Sequence, residues 1–546
     1  MAWRAALHYH GISFPDYFSN MLKWIIRQLT PIPGSLEFLW TAQCFVQNKW
    51  HLPFWQRLFG NPLPGLVRRW TSDLGQQKIL TEIEPKHVLF ITGGLNIIEH
   101  GLATMFALAH RNCEVHFVWL PNLQPDQPDD EYSKRKFKFY YRKALAAVPR
   151  SGRIVGIDMK SVSPTTPTEA MIVAAKAQAC KDISYLRKRE TIDVEGRDKL
   201  LYEWRVKQGT NELTRLTTLI ARCPYDVIVI PNAAVLEFGA IYKFHKSLKI
   251  PIGNYEFWGG AGEAAIACGQ NVMTIPTEEL WSRNESKQLD MKKRGRVLEI
   301  MQQRRRTQRI GTDAGGLKAR LALAPDAPIV LVCPNVPFDG VFLGDTTVFG
   351  SMRSWLAATI RHLLALQPRV NIVVRAHPHE PRYRPEETTL SILQEELGAE
   401  MQRMCIIRPE DDVSTYALME IANLGLVFSS TTGLEMAVLG LPVVCGNLFH
   451  YNKKGFTYDP KSQKEYFEMI DKILLEPRLQ RLSEAQIERA MIYLHIYLEE
   501  FPKPFPWGFE DLWSRLQEWP MERVMSPEGD EKFGRSFDEL VGRKRE

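Results

Sequence analysis

The sequence predicts an α/β protein with two doubly wound domains facing a cleft and helical extensions at both ends. Three observations predict this class. Apolar runs of strand length alternate with amphipathic segments of helix length in two separate stretches. A strongly charged segment separates the two stretches, and polar residues gather where several of the strands end. Ligands of such domains bind at the carboxyl ends of the strands, so the cleft is the expected functional region.

The composition is that of a globular protein with more than one domain. The chain has 546 residues, 45% of them hydrophobic and 24% charged. The 69 basic and 63 acidic residues nearly cancel, which does not favour a nucleic-acid partner. The eight cysteines are scattered singly without a CxxC pair, which indicates buried thiols in a reducing compartment.

Residues 1–84 form an N-terminal extension rich in Trp, Phe and Pro. In YFSNMLKWIIRQL, Tyr17, Met21 and Ile25 fall on one helical face. Such a segment packs on its own protein or lies on a membrane surface, with basic residues such as Arg68 facing anionic lipid. No uninterrupted apolar run approaches about 18 residues. We therefore expect a cytoplasmic protein, with peripheral contact at the inner face of the membrane as the alternative.

Residues 85–281 are predicted to form the first domain, with the acceptor side of the cleft. HVLFITGG reads as a strand, LNIIEHGLATMFALAHR as a helix and CEVHFVWLP as a second strand. Such a βαβ unit implies a parallel sheet. Further strands are expected at RIVGID, YDVIVIPN and IPIGNYEF.

Residues 282–324 are a charged connector, for which a solvated helix face is favoured because no aromatic residues are interleaved. Residues 325–475 repeat the α/β pattern, with strands expected at PIVLVCPN, VNIVVRAHP, CIIRP and LGLVFSS. Residues 476–546 are expected to form a helical C-terminal tail that crosses back or packs outside.

The stretch SSTTGLEMAVLGLPVVCG predicts a phosphate site in the second domain. A strand feeds a short helix through a loop that holds Ser429, Ser430, Thr431, Thr432 and Gly433. Free N–H groups at a helix N-terminus attract phosphate, and hydroxyls beside a residue without bulk would suit one there. The alternative is that the hydroxyls only cap the helix.

A second turn, in VVRAHPHEP, brings a cation and an imidazole to a strand end through Arg375 and His377, and Pro378 fixes the turn. Lys454, in the loop HYNKKG, is placed to approach the same phosphate. No His, Asp or Cys cluster has metal-ligand spacing and no DxD ends a strand, so we predict no metal and no cofactor. The phosphate would be neutralised by these cations and the helix dipole.

The motifs RAHPHE, DDVSTYALMEIANLGLVFSSTTGLEMAVLGLPVVCG and HYNKKGFTYDP together resemble the capsule polysaccharide biosynthesis proteins. These are similar to B-type (GT-B) glycosyltransferases that use CMP-activated acidic sugars such as Kdo. The resemblance covers residues 325–475 well and the first domain loosely. It implies that His377 and Pro378 are the family's His-Pro motif, that Ser429 to Thr432 contact the phosphate, and that Glu435 reaches the ribose.

The first domain does not supply the acidic pair followed by Gly that related sialyl-type transferases use as a base. The candidates for the catalytic base are therefore single glutamates at Glu256, Glu237, Glu99 and Glu263. Glu256 ends a predicted strand and faces the proposed cleft, while Glu237 opens a predicted helix, whose dipole favours the ionised form.

These observations and the resemblance predict a metal-independent glycosyltransferase. It would move a sugar from a nucleotide-activated donor, with a CMP-linked acidic sugar favoured, to a surface or capsular polysaccharide or a lipid-linked glycan. One alternative is a CDP-alcohol-phosphate polymerase of teichoic-acid type, for which CDP-glycerol is the discriminating donor. Another is a non-catalytic partner protein that keeps the nucleotide-sugar fold, which the missing acidic motif supports.

Overall fold

The protein is described here by a computed structural model. It describes residues 63–93, 95–120, 141–258, 262–307, 314–338, 348–475, 481–509 and 511–543. Its twelve strands are β1 Lys86–Thr92, β2 Cys113–Trp119, β3 Ile154–Asp158, β4 Val227–Pro231, β5 Ile252–Phe257, β6 Glu263–Cys268, β7 Ile329–Cys333, β8 Asn371–Arg375, β9 Cys405–Ile407, β10 Leu424–Val427, β11 Val443–Cys445 and β12 Lys503–Pro504.

The α-helices in the described residues connect and cover these strands. They are α1 Leu63–Gln76, α2 Leu95–His110, α3 Arg142–Ala146, α4 Glu169–Arg187, α5 Lys199–Arg222, α6 Leu236–Leu248, α7 Glu278–Asn284, α8 Met291–Thr307, α9 Ala314–Arg320, α10 Met352–Ala365, α11 Glu380–Tyr383, α12 Thr389–Leu397, α13 Thr415–Ile421, α14 Thr432–Val438, α15 Gln463–Leu475, α16 Glu484–His495, α17 Leu512–Glu518, α18 Met521–Val524 and α19 Pro527–Leu540.

The strands form two sheets with the same central order. The first sheet runs β12-β6-β5-β4-β1-β2-β3 and the second runs β11-β10-β7-β8-β9. Strands β1 to β5 pair in parallel, as do all five strands of the second sheet. In each sheet the order reverses beside the first strand, between β1 and β4 and between β7 and β10. The predicted fold class is therefore confirmed. Ligands of doubly wound sheets bind outside such switch points, so these are the edges at which a site is expected.

Both faces of each sheet are covered by apolar side chains. On β1, Phe90 belongs to one core cluster and Leu89 to another. On β7, Leu331 belongs to one core cluster and Val332 to the cluster on the opposite face. Because successive side chains of a strand point to opposite faces, strands buried on both faces read as continuous apolar runs. This is why the central strands could be predicted from the sequence.

The segment expected to be a helical tail crosses back to the first sheet. After α16, strand β12 pairs antiparallel with β6, which itself pairs antiparallel with β5. Trp507 and Phe537 join the core of the first sheet. Strands β6 and β12 were not predicted, because EAAIAC is rich in alanine and β12 has only two residues. The tail from β12 onward is therefore an integral layer of the first domain.

The N-terminal extension is described only from residue 63. Helix α1 buries Leu63, Val67 and Trp70 in the core of the first sheet, while Arg69 forms an ion pair with Glu522 at 2.8 Å. The face predicted around Tyr17 lies outside the described residues, as does most of the segment proposed to touch lipid. Every helix in the described ranges is too short or too polar to cross a bilayer.

A polar contact joins the two domains beside α10. Both oxygens of Glu190 accept backbone N–H groups at the start of that helix, from Met352 at 2.7 Å and from Arg353 at 2.8 Å. In return, Glu387 of the second domain accepts the Thr191 hydroxyl at 2.7 Å. The loop that follows α4 is thus bonded directly to the second domain.

Glu212, on α5, gives the stability of the chain a specific pH dependence. Its side chain is buried at 1% exposure, and neither carboxylate oxygen has a hydrogen-bond partner among the described residues. Burial raises the pKa of Glu212 to about 7, from an ordinary value of 4.5. Between pH 4.5 and about pH 7, the folded state keeps a proton on Glu212 that the unfolded state has lost. The free energy of unfolding therefore falls as the pH rises through this window.

We expect Glu212→Gln to remove this dependence. Between about pH 4.5 and about pH 8 the wild-type chain should lose about 3 kcal/mol of unfolding free energy through this group, and the variant should not. Denaturant unfolding at both ends of this range measures the difference. Glu203→Gln, at an exposed position of the same helix, is the control for removing a charge. Equal pH slopes for Glu212→Gln and the wild type would contradict the expectation.

Candidate functional site

The loop between β10 and α14 lies at the switch point of the second sheet. Ser429 is buried, and its backbone N–H donates to Asn335 Oδ1 at 3.1 Å. Asn335 follows β7, so this bond joins the ends of the two strands between which the order reverses. The Ser430 hydroxyl donates to Thr432 Oγ1 at 2.9 Å and accepts the Thr432 N–H at 3.2 Å. The predicted hydroxyl cluster is therefore a hydrogen-bonded turn, with Thr431 and Thr432 half-buried at its edge.

Tyr451, from the loop after β11, is hydrogen-bonded to this turn from the protein interior. Its hydroxyl donates to the Ser430 carbonyl at 2.6 Å, and its ring is fully buried. Gly433, the second residue of α14, lies directly beside that hydroxyl. A Cβ at this position would lie 2.6 Å from the Tyr451 oxygen and 2.9 Å from Val427 Cγ2. Only glycine therefore allows Tyr451 and the turn to meet.

We expect Gly433→Ala to displace Tyr451 and loosen the turn. Overpacking of this kind costs about 1–3 kcal/mol of unfolding free energy, and weaker donor binding should accompany it. Thermal unfolding and nucleotide titration measure the two effects. Gly295→Ala is the control, because a Cβ there meets no atom within 4 Å. If Gly433→Ala behaves like Gly295→Ala in both measurements, the contact does not hold the turn.

Arg375 is the last residue of β8 and is an unusual buried cation. It is 6% exposed, and burial lowers its pKa. Its Nη1 donates to the Arg408 carbonyl, while its Nε has no hydrogen-bond partner among the described residues. No carboxylate of the described residues lies within ion-pair distance of it. The carboxylates of Asp411 and Glu410 act on it only from beyond that distance. A buried cation without a directly paired carboxylate is costly, so this position favours an anionic ligand.

His377 follows Arg375 on the same edge. Its Nδ1 accepts the backbone N–H of His379 at 3.2 Å. Burial, with help from the nearby His379 and Arg375, lowers the pKa of His377 to about 4, so the ring is neutral near pH 7. Since Nδ1 accepts, the proton of the neutral ring sits on Nε2, which is left as a donor. Pro378 is exposed at the turn.

Two further predicted ligands of the donor are engaged in ion pairs. Glu435 bonds to Arg304 Nη1 at 2.6 Å and accepts the Tyr416 hydroxyl at 3.0 Å, so both of its oxygens have partners. Lys454 is buried at 5% exposure and pairs with Glu278 of α7. The structure thus directs both side chains toward the charged connector and its neighbours, and their contact with a donor stays a prediction.

Glu256 lies at the carboxyl end of β5 in the first sheet, half-buried. Its Oε2 accepts Asn232 Nδ2 at 2.5 Å, and its Oε1 accepts the Phe257 N–H at 2.9 Å. Asn232 directly follows β4 and has a left-handed backbone conformation, with a φ of 41°. Burial raises the pKa of Glu256 above the ordinary value of 4.5. A carboxylate with a raised pKa at a strand end has the character of a general base.

The other glutamates lie in different surroundings. Glu237 is 4% exposed and bonds to Arg205 Nη1 at 3.1 Å, and Arg205 also pairs with Asp182 at 2.9 Å, so Glu237 belongs to an interior ion-pair network. Glu99, on α2, accepts Trp513 Nε1 at 2.7 Å from the returning C-terminal segment. Glu263 starts β6 and is exposed. Among these four, Glu256 alone ends a strand of the parallel part of the sheet.

Sequence reasoning missed Asn335, Asn232 and the role of Tyr451. The two asparagines stand directly after apolar strands, in the dipeptides Pro-Asn of VCPN and IVIPN. This shared signal, an amide at the carboxyl end of each strand beside a switch point, could have identified them. No local signal shows that Tyr451 reaches Ser430, because that contact depends on how β11 lies beside β10.

Two doubly wound domains in series are the architecture of the GT-B class of fold. Residues 265–496 match the family model described as capsule polysaccharide biosynthesis protein. The match begins in β6 and runs through the second sheet to the end of α16. It confirms the resemblance predicted from the motifs: this part of the chain is similar to the capsule polysaccharide biosynthesis proteins. A sequence comparison with curated proteins finds no match.

Solved structures to which the chain is similar include two Kdo transferases and one epimerase. KpsC of Thermosulfurimonas dismutans, as a beta Kdo 2,7 transferase, is 15% identical with a TM-score of 0.31, covering 56% of this chain and 88% of that one. The beta Kdo 2,4 transferase of the same KpsC is 14% identical with a TM-score of 0.31. The similarity covers 52% of this chain and 82% of that one. UDP-GlcNAc 2-epimerase from Neisseria meningitidis is 13% identical with a TM-score of 0.26. The similarity covers 74% of this chain and 97% of that one. At these TM-scores the similarities carry no argument about this chain's activity.

Proposed function

We propose that the chain is a glycosyltransferase that moves a sugar from a nucleotide-activated donor to a surface or capsular polysaccharide. A CMP-linked acidic sugar is the favoured donor, because the motifs resemble proteins that use such sugars. The observation that carries the proposal is Arg375, a buried cation at the carboxyl edge of the second sheet with no carboxylate of the described residues within ion-pair distance. The phosphate of a donor would supply the missing negative charge.

The neighbouring groups suit the same phosphate. His377 would donate its Nε2 proton to one phosphate oxygen, and the hydroxyls of Thr431 and Thr432 would donate to others. Strand β7 lies between β8 and β10, so these groups approach the donor from strand ends on both sides of the switch point. We propose that Arg375 and these donors neutralise the phosphate without a metal ion.

We propose Glu256 as the base of the transfer. A hydroxyl oxygen of the acceptor would attack the anomeric carbon of the donor sugar and form the new glycosidic bond. The bond between that carbon and the phosphate oxygen would break, and the nucleotide would leave with its electron pair. The hydroxyl proton would pass to the Glu256 carboxylate, whose orientation is held by Asn232.

The acceptor enters this proposal only by class, as a glycan or a lipid-linked glycan that approaches the first domain. A lipid-linked acceptor would place the enzyme at the inner face of the membrane. The N-terminal segment 1–84 would then provide a peripheral contact, with its basic residues against anionic lipid.

Thermal unfolding with CMP, CDP, UDP, GDP and ADP, with and without magnesium, tests the donor class. A ligand that binds only the folded state raises the unfolding midpoint. We expect a rise with CMP that does not depend on magnesium and that Arg375→Ala abolishes. Glu203→Gln, on the exposed face of α5, is a control for the effect of removing a surface charge.

Each outcome of this titration has a definite meaning. A preference for CDP would favour the phosphate polymerase, with CDP-glycerol as the next donor to try. A rise with CMP but no turnover with any donor and acceptor would favour the non-catalytic partner protein. No rise with any nucleotide would contradict the phosphate site itself.

A further inference from the structure

Three potential metal ligands meet at the amino-terminal edge of the first sheet, opposite the edge that holds Glu256. His87 is the second residue of β1, His116 lies on the adjacent β2, and Cys223 caps the end of α5 just before β4. Strands β4, β1 and β2 are consecutive in the sheet. All three side chains are half-buried. Two imidazoles and a thiol thus converge from three different elements.

The distances between these groups suit a tetrahedral ion. One ligand atom from each residue can be chosen so that all three lie within 4.8 Å of one another. Cys223 Sγ is 3.8 Å from His87 Nδ1 and 3.9 Å from His87 Nε2. With zinc bonds of about 2.1 Å to nitrogen and about 2.3 Å to sulfur, a tetrahedral ion separates such ligands by about 3.6 Å. Small side-chain rotations are therefore sufficient to close the site.

The surroundings already orient one of the imidazoles. Tyr225 Oη lies 2.6 Å from His116 Nδ1, so this nitrogen is occupied and Nε2 remains to bind an ion. The Tyr225 ring also packs against both imidazole rings, with centroids 5.3 Å from His87 and 5.4 Å from His116. A hydrogen bond to the far nitrogen of a histidine is the usual outer contact of a metal site.

Glu114, on β2, is a candidate for the fourth ligand. Glu114 pairs in register with His87, and its Oε2 lies 3.6 Å from His87 Nε2. Its side chain is 66% exposed, so it can turn toward an ion without losing a buried contact. Glu114 and His116 alternate with the buried Val115, which places both on the same face of the strand as His87.

We propose that His87, His116 and Cys223 bind a zinc ion, with Glu114 or a water molecule as the fourth ligand. A thiolate and two imidazoles are typical ligands of zinc and poor ligands of magnesium or calcium. Binding displaces the proton of the Cys223 thiol, so one proton leaves as the ion enters. The ion would tie together β1, β2 and the end of α5, at the edge remote from the proposed phosphate site.

The spacing of these residues in the sequence predicts no metal site, because His87, His116 and Cys223 belong to no local motif. The site arises only when the doubly wound order places β4 beside β1. It would stabilise the first domain, and it does not depend on the proposed transfer reaction.

Metal analysis of the full chain, purified without a histidine tag, tests the proposal. After dialysis against zinc and removal of free ion, we expect one zinc per chain by mass spectrometry. Cobalt(II) added to the apo chain should give the strong visible bands of a tetrahedral site and a thiolate-to-cobalt charge-transfer band. Both signals should disappear in Cys223→Ser and persist in Cys180→Ser, the matched control at another half-buried free thiol.

A second variant makes the test independent of how Cys223→Ser folds. Tyr225→Phe removes only the outer hydroxyl and should weaken zinc binding by about 10–100-fold while the cobalt spectrum keeps its tetrahedral shape. Substoichiometric zinc in the wild-type chain, or a weak octahedral cobalt spectrum, would overturn the proposal. A charge-transfer band retained in Cys223→Ser would overturn it as well.

Discussion

His377→Ala is expected to lower kcat/KM for the sugar donor by about 10²–10³-fold, the usual loss when one positioned donor to a developing charge is removed. The low pKa of His377, about 4, keeps the ring neutral, so what the variant loses is the Nε2 hydrogen bond to phosphate. Steady-state kinetics with a CMP-linked acidic sugar measures the effect. The unfolding midpoint should change little, because the side chain is half-buried and its one described bond is local.

His379→Ala is the matched control for this prediction. The His379 side chain is exposed, and its backbone N–H, which donates to His377 Nδ1, is retained by alanine. The variant loses the edge contact between the two imidazole rings, whose centroids lie 5.6 Å apart. We expect its kcat/KM to stay close to that of the wild type. Unchanged turnover in His377→Ala would refute the role of the imidazole, and equal losses in both variants would point to a disturbed turn.

Glu256→Gln is expected to reduce kcat by about 10²–10⁴-fold, the range attributed to a positioned general base. Glutamine keeps the shape of the side chain but cannot accept the proton of the acceptor hydroxyl. The shift of the unfolding midpoint by CMP should persist, because Glu256 lies in the first sheet and the phosphate groups lie in the second. Glu263→Gln, at an exposed position on the neighbouring β6, is the control and should retain activity.

The pH profile provides a second check on Glu256. Only the ionised carboxylate can act as the base, and burial raises its pKa above the ordinary value of 4.5. The kcat/KM of the wild type should therefore fall as the pH drops through this raised pKa, at a higher pH than for an exposed glutamate. A profile whose acid limb is the same in Glu256→Gln would assign the titration to another group.

Much of the fold could be predicted because its central strands are buried on both faces. HVLFIT and PIVLVC are continuous apolar runs with turn residues behind them, and they became β1 and β7. Strand β6 lacked this signal because alanine has no strong preference for strands. Strand β12 could not be predicted, since two residues carry no periodicity and their pairing depends on the returning chain.

The residue types of the site could be predicted better than their surroundings. Arg375 and His377 were expected at a strand end and lie at one. The environments of Glu237 and Lys454 are decided by Arg205 and Glu278, which come from distant elements. Local sequence cannot show whether a charged side chain faces an open edge or a partner from another helix. The cluster of His87, His116 and Cys223 could not be predicted for the same reason, because its members come from elements far apart in the sequence.

Acceptor-dependent release of CMP from a CMP-linked acidic sugar tests the central claim most directly. Product mass should show one added sugar on an oligosaccharide acceptor, with CMP released in equal amount, in the presence of a chelator that removes free magnesium. The account predicts this reaction for the wild type and His379→Ala and its loss in His377→Ala and Glu256→Gln. Equal transfer by His377→Ala and the wild type, or CMP binding without transfer to any acceptor, would contradict it.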